Sequence, residues 1–186
     1  MYFKIKTYFI IYILMYNLKK IQSKYLNLEI NKVVVYSDLI FSLFYYKHHV
    51  GTQCTLLSCI SGVDFLGKSY RFCVVYHLLS LKFNKRLQLK VFINEITSIE
   101  SCIDIYENAN WWEREIWDMY GIYFMKHPDL RRILTDYGFE GHPLRKDFPL
   151  SGFLELRFDN IQKSVVIQPI ELAQEYRLFN YEMPWV

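Results

Sequence analysis

The residues best equipped for chemistry crowd into the stretch from Glu113 to Asp147 of this 186-residue chain. Glu113-Arg114-Glu115 and Asp118 stand beside Trp111, Trp112 and Trp117. After them come His127-Pro128-Asp129, Arg131-Arg132, Asp136, Glu140, His142 and Arg145-Lys146-Asp147. Carboxylates, imidazoles and guanidiniums at this density could act as general acids and bases or as metal ligands. Their spacing argues otherwise. A metal site built on a helix places histidines four apart with a third ligand nearby, as in H-E-x-x-H. His127 and His142 are instead separated by a stretch containing Pro and Gly, and nothing puts two carboxylates and a histidine on one regular element. The plainer reading is that these ions pair with each other and with a partner, Arg being suited to forked contacts with carboxylates. Arg114 and Asp118, four apart on a helix, can pair. A metal-dependent hydrolase using His127, Asp129 and His142 stays open as an alternative, which stoichiometric zinc or iron in the purified protein would support.

Other chemistry is thinly represented. Cys54, Cys59, Cys73 and Cys102 are scattered without a Cys-x-x-Cys pair, whereas zinc and iron–sulfur sites usually take two thiolates from one turn. They read as reduced core thiols. There is no G-x-G-x-x-G, P-loop or G-x-S-x-G elbow, hence no evident nucleotide site or nucleophile.

The elements that must position these groups can be read from periodicity. Val33-Val34-Val35 suits a strand within Leu26 to Tyr36; Ser37 is a plausible N-cap, and Leu39, Ile40, Leu43 and Phe44 recur at helical spacing before His48. Thr55 to Ile60 reads as a strand ended by Gly62. Arg71 to Leu79 and Leu87 to Ile93 read as two strands joined through Asn84-Lys85-Arg86, with Leu87, Leu89, Val91 and Ile93 on a core face. Thr97 and Glu100 have capping-box spacing, which predicts a helical region running to Tyr120, interrupted near Asn108 to Asn110 and closed by Gly121. The fold class that follows is α+β: a single domain with a mixed β-sheet and packed helices, over residues 25–126.

The two ends differ from this domain. All five prolines fall after Gly121, together with Gly138, Gly141 and Gly152. That density blocks helices and long paired strands, yet Phe124, Leu130, Phe139, Phe148, Phe153 and Trp185 are too apolar for a free linker. Residues 127–186 therefore read as an extended, Pro-rich, partner-binding C-terminal tail, with the block from Glu113 to Asp118 as its hinge. Residues 1–24 form an apolar and basic segment in which an uncharged run from Thr7 to Leu18 lies between lysines. The run is too short to span a bilayer, and reads as a docked helix, with a signal, an anchor or a presequence as alternatives. The lysine-rich first fifty residues also leave an RNA- or membrane-surface binder open. A composition that is 52% hydrophobic and 18% aromatic excludes a disordered chain and suggests burial against partners.

The run from Glu113 to Ile133 resembles the signature E-R-E-x-x-D-x-x-G-[IV]-x-[FY]-x-x-H-P-[DN]-[LM]-[RK]-R-[IL] of the 30-kDa subunit family of respiratory complex I at every defined position. The resemblance continues through LTDYGFEGHPLRKDFPL at 134–150, which is close to the mitochondrial form, and through Glu155, Arg157 and Asp159 to Gln174–Phe179 and Pro184-Trp185. Gly62 to Phe65, Arg71-Phe72, Tyr76 and Leu79-Ser80 carry the fainter upstream half. The resemblance implies an α+β domain with an extended C-terminal segment in the quinone-linked part of the peripheral arm. It implies packing against the 49-kDa subunit and neighbouring iron–sulfur subunits, no nucleic-acid partner, and contact with the membrane only through the complex. No cofactor is expected in this chain, while the complex as a whole uses NADH, FMN, iron–sulfur clusters and ubiquinone to drive proton translocation. The matching residues Glu113, Arg114, Glu115, Asp118, Gly121, His127, Pro128, Asp129, Arg131, Arg132, Asp136, Gly138, Gly141, His142, Arg145, Lys146 and Asp147 then become a partner interface rather than a catalytic site. The expected location is the matrix side of the mitochondrial inner membrane, with a bacterial cytoplasmic face as fallback. A similar module in a membrane-bound hydrogenase or formate-linked complex is the rival within the resemblance.

Overall fold

Alternation along Leu87, Leu89, Val91 and Ile93 does what it predicts: all four side chains are buried, at 2% exposure or less, on one face of a strand. In the computed structural model, which describes residues 31–177, 179 and 185, that strand is β4 (Lys85–Ile93). It lies between β1 (Asn31–Val34), which pairs with it in parallel, and β3 (Phe72–Ser80), which pairs antiparallel. Strand β2 (Leu56–Asp64) closes the far edge against β3, giving a mixed four-stranded sheet in the order β1-β4-β3-β2. The β3–β4 turn is made at Asn84, in the left-handed region at φ 48°.

Helix α1 (Leu39–His48) turns Leu39, Leu43 and Tyr46 onto the core. Ser37 does not cap it. It belongs to a short 3-10 turn, Tyr36–Asp38, and its hydroxyl donates to Asp38 Oδ1 at 3.1 Å. Nor does Gly62 end β2. The strand runs on to Asp64 by pairing with β3 as far as Phe72, and Gly62 is small because the Tyr120 ring lies over it, where a Cβ would sit 2.6 Å from Tyr120 Cδ2. The predicted capping box at Thr97 is also absent. Ile99–Glu100 is a short strand, β5, paired in parallel with β6 (Phe124–Met125), so the backbone there is committed to a partner 25 residues further on. The helix begins only at Ala109, and α2 (Ala109–Tyr120) ends where expected, at Gly121, with φ 73° and its N–H donated to Trp117 O at 2.9 Å.

Helix α2 packs across β2, and Asn108 Nδ2 donates to Leu57 O at 2.7 Å while Tyr106 Oη donates to Cys54 O at 2.6 Å. The core between helices and sheet contains Leu57, Ile60, Tyr76, Ile116, Ile122 and Phe124. Each such side chain contributes about 1.5–3 kcal/mol on burial. Beyond β6, residues 127–153 form neither helix nor strand, and the chain then makes a hairpin of β7 (Leu154–Asp159) and β8 (Ser164–Pro169). The fold is α+β with a mixed sheet. The N-terminal run Thr7–Leu18 lies outside the described residues, among which no helix is long and apolar enough to cross a membrane.

Candidate functional site

Helix α2 carries two carboxylates of 0% exposure on its buried side, Glu113 and Asp118. A buried carboxylate needs donors, and Asp118 finds four. Its Oδ2 accepts the backbone N–H groups of Leu134 at 2.8 Å, Thr135 at 2.9 Å and Ile133 at 3.3 Å, and its Oδ1 accepts the Thr135 hydroxyl at 2.6 Å. Burial pushes this carboxyl up, but the Thr135 hydroxyl and the three N–H groups outweigh burial and leave it below its ordinary range. Arg114 is therefore not its partner. The Arg114 guanidinium lies over Trp111, and its Nε donates to Arg131 O at 3.1 Å. Asp118 holds residues 133–135 through their backbone, and Arg114 holds residue 131.

Glu113 has a different environment. Its Oε2 accepts the Ser101 hydroxyl at 2.6 Å and its Oε1 the Cys102 N–H at 2.8 Å, which ties α2 to the loop after β5. His127 Nε2 stands 3.9 Å from Oε2, with its side chain also at 0% exposure. Asp129 N–H donates to His127 Nδ1 at 3.1 Å, so the proton of the neutral ring sits on Nε2, facing Asn110 O at 3.3 Å. Burial pushes the Glu113 carboxyl up, against the Ser101 and Cys102 donors. The acid with fewer donors is the one driven toward its neutral form.

A second set of contacts fastens residues 142–147. Asp64, 3% exposed at the end of β2, receives a fork from Arg71: Nε to Oδ1 at 2.9 Å and Nη2 to Oδ2 at 3.0 Å. Oδ2 also accepts the Lys146 N–H at 2.9 Å, and Arg71 pairs with Asp147 at 2.9 Å and with Glu95 at 2.5 Å. The Arg71 hydrogen bonds hold the Asp64 carboxyl below its ordinary range despite its burial. Arg145 Nε donates to Tyr120 O at 2.7 Å, and its guanidinium and that of Arg71 both lie over the Phe72 ring, 5.2 and 5.1 Å from its centre. His142 Nδ1–H donates to Asp118 O at 3.0 Å. Burial pushes the His142 imidazole down. Gly121 is required here twice over: its φ is positive, and a Cβ would lie 2.5 Å from His142 Nε2.

The predicted site residues thus divide. Glu113, Arg114, Asp118, His127, Arg132, His142, Arg145, Lys146 and Asp147 are joined in one clamp that lays residues 127–148 on the domain, Arg132 through Nε at 3.9 Å from Asp118 Oδ1. The block from Glu113 to Asp118, read from sequence as the hinge to the tail, lies within α2 and holds residues 131–135 through Arg114 and Asp118. Among the described residues Arg131 pairs with Asp129 alone, both well exposed, and Pro128, Asp136, Gly138 and Gly141 form exposed turns, Asp136 accepting the Tyr137 N–H. Glu115 is half-buried. Asp64 and Thr135 lie in stretches that carry the resemblance but, like Ser101, are not among the site residues named from sequence. For Asp64 a signal existed, since it shares the core-facing parity of β2 with Ile60 and Gly62, where an acid demands a partner.

Residues 33–154 match the family described as respiratory-chain NADH dehydrogenase, 30 Kd subunit. The chain belongs to that family, in its mitochondrial type. It is 50% identical over 156 residues to NADH dehydrogenase [ubiquinone] iron-sulfur protein 3 of Oryza sativa subsp. japonica, covering 83% of this chain and 82% of the relative. It is 50% identical over 143 residues to NADH-ubiquinone oxidoreductase subunit 9 of Prototheca wickerhamii, covering 77% and 74%. Among solved structures, a chain of the archaeal membrane-bound sulfane sulfur reductase, a respiratory membrane complex, shares the fold with a TM-score of 0.57 at 25% identity, over 64% of this chain and 71% of that one.

One relative's name includes iron–sulfur, and the cysteines of this chain bear on whether it could hold a cluster. A cluster needs several thiolates converging. Cys54, Cys73 and Cys102 are buried and Cys59 half-buried, on separate elements, and no three His, Cys, Asp or Glu residues converge as metal ligands among the described residues. Burial pushes the Cys54 thiol up to about 11 and pushes Cys73 and Cys102 up as well, as for protonated core thiols. The residues do not fit a cluster. His127 and His142 attach to opposite ends of α2, at Asn110 and Asp118, which also separates the proposed hydrolase ligands.

Proposed function

We propose that this chain is a structural subunit of the quinone-linked peripheral arm of NADH:ubiquinone oxidoreductase, without a catalytic group or redox centre of its own. Its task is to present a preformed C-terminal segment to its neighbours, the 49-kDa subunit foremost and the iron–sulfur subunits of the arm beside it. The complex passes electrons from NADH to ubiquinone through FMN and clusters held by other chains, and this chain supplies contacts. It sits peripherally on the matrix side of the mitochondrial inner membrane.

One observation carries this reading. The β7–β8 hairpin has a complete backbone ladder, and register puts Leu154, Leu156, Phe158, Val165 and Ile167 on one face, exposed at 55–64%. The other face is polar, with Gln168 Nε2 donating to Glu155 Oε1. A ribbon that is apolar on one side and uncovered is a docking element, since monomers rarely leave such patches bare. The clamp gives that ribbon a fixed starting point on the domain.

The test is a native gel of mildly solubilised membranes, stained for NADH dehydrogenase activity and probed for the chain. Wild type travels with the large active band, and Leu156→Asp with Ile167→Lys, which keeps opposite charges across the strands, drops out of it. A wild-type chain running alone at 22.6 kDa would end the proposal. Iron analysis of the purified chain checks the missing redox centre, with stoichiometric iron as the contrary result.

A further inference from the structure

The four-stranded sheet has a second face, opposite the side that the helices cover, on which Cys73 and Val75 of β3 are buried at 2% and 5% while Val33 of β1 is exposed. Register fixes its members: Val33 on β1 lies beside Lys90 on β4, Lys90 beside Val75 on β3, and Gln88 beside His77. Arg86, Gln88, Lys90 and Phe92 therefore alternate along β4 on this face, while Leu87, Leu89, Val91 and Ile93 face the core. No Asp or Glu holds a register position on it in any of the four strands. Arg86 and Lys90 have no ion-pair partner among the described residues. Between them, Gln88 Nε2 and His77 Nε2 meet at 3.3 Å across the strands. Toward β1 the face opens into a groove of about 610 Å³ lined by Val33, Val35, Tyr70, Phe92 and Lys68 among others. Val33 is 72% exposed, Val35 60% and Tyr70 53%.

We propose that this face receives an acidic, partly apolar protein segment from a neighbouring subunit. Two cations left unpaired would make such a face costly to cover with apolar material alone, so the occupant must bring carboxylates. Arg86 and Lys90, four residues apart on a strand, call for two carboxylates about 13 Å apart. An apolar side chain of the same segment fills the groove beside Val33 and Phe92. The rival occupant within the chain is residues 1–30, which lead into β1. Their lysines at 4, 6, 19, 20 and 24 would set like charge against Arg86 and Lys90, with Glu29 the one acid among them. The surface is distinct from the β7–β8 ribbon and requires only that the chain sit among other subunits.

The experiment places a photo-reactive benzoylphenylalanine at Val33 in the assembled complex and sequences the adduct. The expected product is a peptide of another subunit carrying at least two carboxylates near the attachment point. An adduct within residues 1–30, an adduct to lipid, or no adduct at all overturns the proposal. Charge reversal checks it independently. Arg86→Glu with Lys90→Glu lowers incorporation roughly tenfold or more while the free chain keeps its melting temperature. Undiminished incorporation of the reversed chain, or an equal loss of its melting temperature, also overturns it. The adduct is read in wild-type-ribbon complex, so failure of the ribbon reading leaves this result interpretable.

Discussion

Residues 127–148 and residues 154–169 both follow β6 in the chain, and they solve one problem in opposite ways. The first segment has no helix or strand, so its N–H groups must find acceptors elsewhere. Two buried carboxylates provide them: Asp118 takes the N–H groups of Ile133, Leu134 and Thr135, and Asp64 takes that of Lys146. The hairpin satisfies its own backbone through the β7–β8 ladder and asks nothing of the domain. Its side chains are therefore left over for something else. An irregular segment is held by its backbone, a regular ribbon offers its side chains.

The sharpest way to break this contrast is to remove the acceptor. Asp118→Ala strands three N–H groups and the Thr135 hydroxyl, and should cost about 3–5 kcal/mol of stability in denaturant unfolding. Hydrogen exchange at residues 133–135 should accelerate with it. Asp118→Asn keeps one acceptor oxygen and should fall between the two. If Asp118→Ala leaves exchange at 133–135 unchanged, the clamp is not what holds the segment.

Acid offers a reversible version of the same test. Asp118 and Asp64 lie below the ordinary aspartate value of 3.8, so the stability they contribute is present above that value and is lost as pH falls through their folded values. Glu113 is raised above its ordinary 4.5, so its contribution is present below 4.5 and is lost as pH rises through the raised value. Melting temperature against pH should thus show two limbs. Glu113→Gln flattens the upper limb and Asp118→Asn the lower. A Glu113→Gln profile parallel to wild type on the upper limb would refute the assignment.

These two acids also mark where the sequence stopped being legible. Strands β3 and β4 and the end of α2 at Gly121 follow from local pattern, because alternation and a left-handed glycine are written within a few residues. The capping box at Thr97 failed because β5 answers to β6, and the Arg114–Asp118 pair failed because donors 15 to 17 residues away bind Asp118 instead. Asp64 and Lys146 meet across 82 residues, a separation that no periodicity encodes. Within the tail, the rings of Phe139, Phe148 and Phe153 meet in sequence at 5.9 and 5.3 Å, tilted in the first pair and edge-on in the second.

On the ribbon side, the expected effect on the free chain is small and the effect on the assembly large. Leu156→Asp with Ile167→Lys turns an exposed cross-strand pair into opposite charges, so the free chain should change in stability by no more than about 0.5–1 kcal/mol. Incorporation into the active complex should be lost. Loss of both together would show that the ribbon packs on its own domain, and would erase the contrast.

Arg131 tests the boundary between the two modes. Its side chain pairs with Asp129 at 2.9 Å in an exposed setting, while its carbonyl accepts from the buried Arg114. Arg131→Ala removes only the exposed pair and keeps the backbone anchor, so the free chain should lose no more than about 0.5 kcal/mol. If the guanidinium is reserved for a carboxylate on a neighbouring subunit, incorporation should fall by more than stability does, and Arg131→Lys should restore only part of it, since an ammonium cannot make the forked contact. Equal, small losses of both would assign Arg131 to the clamp through its backbone alone.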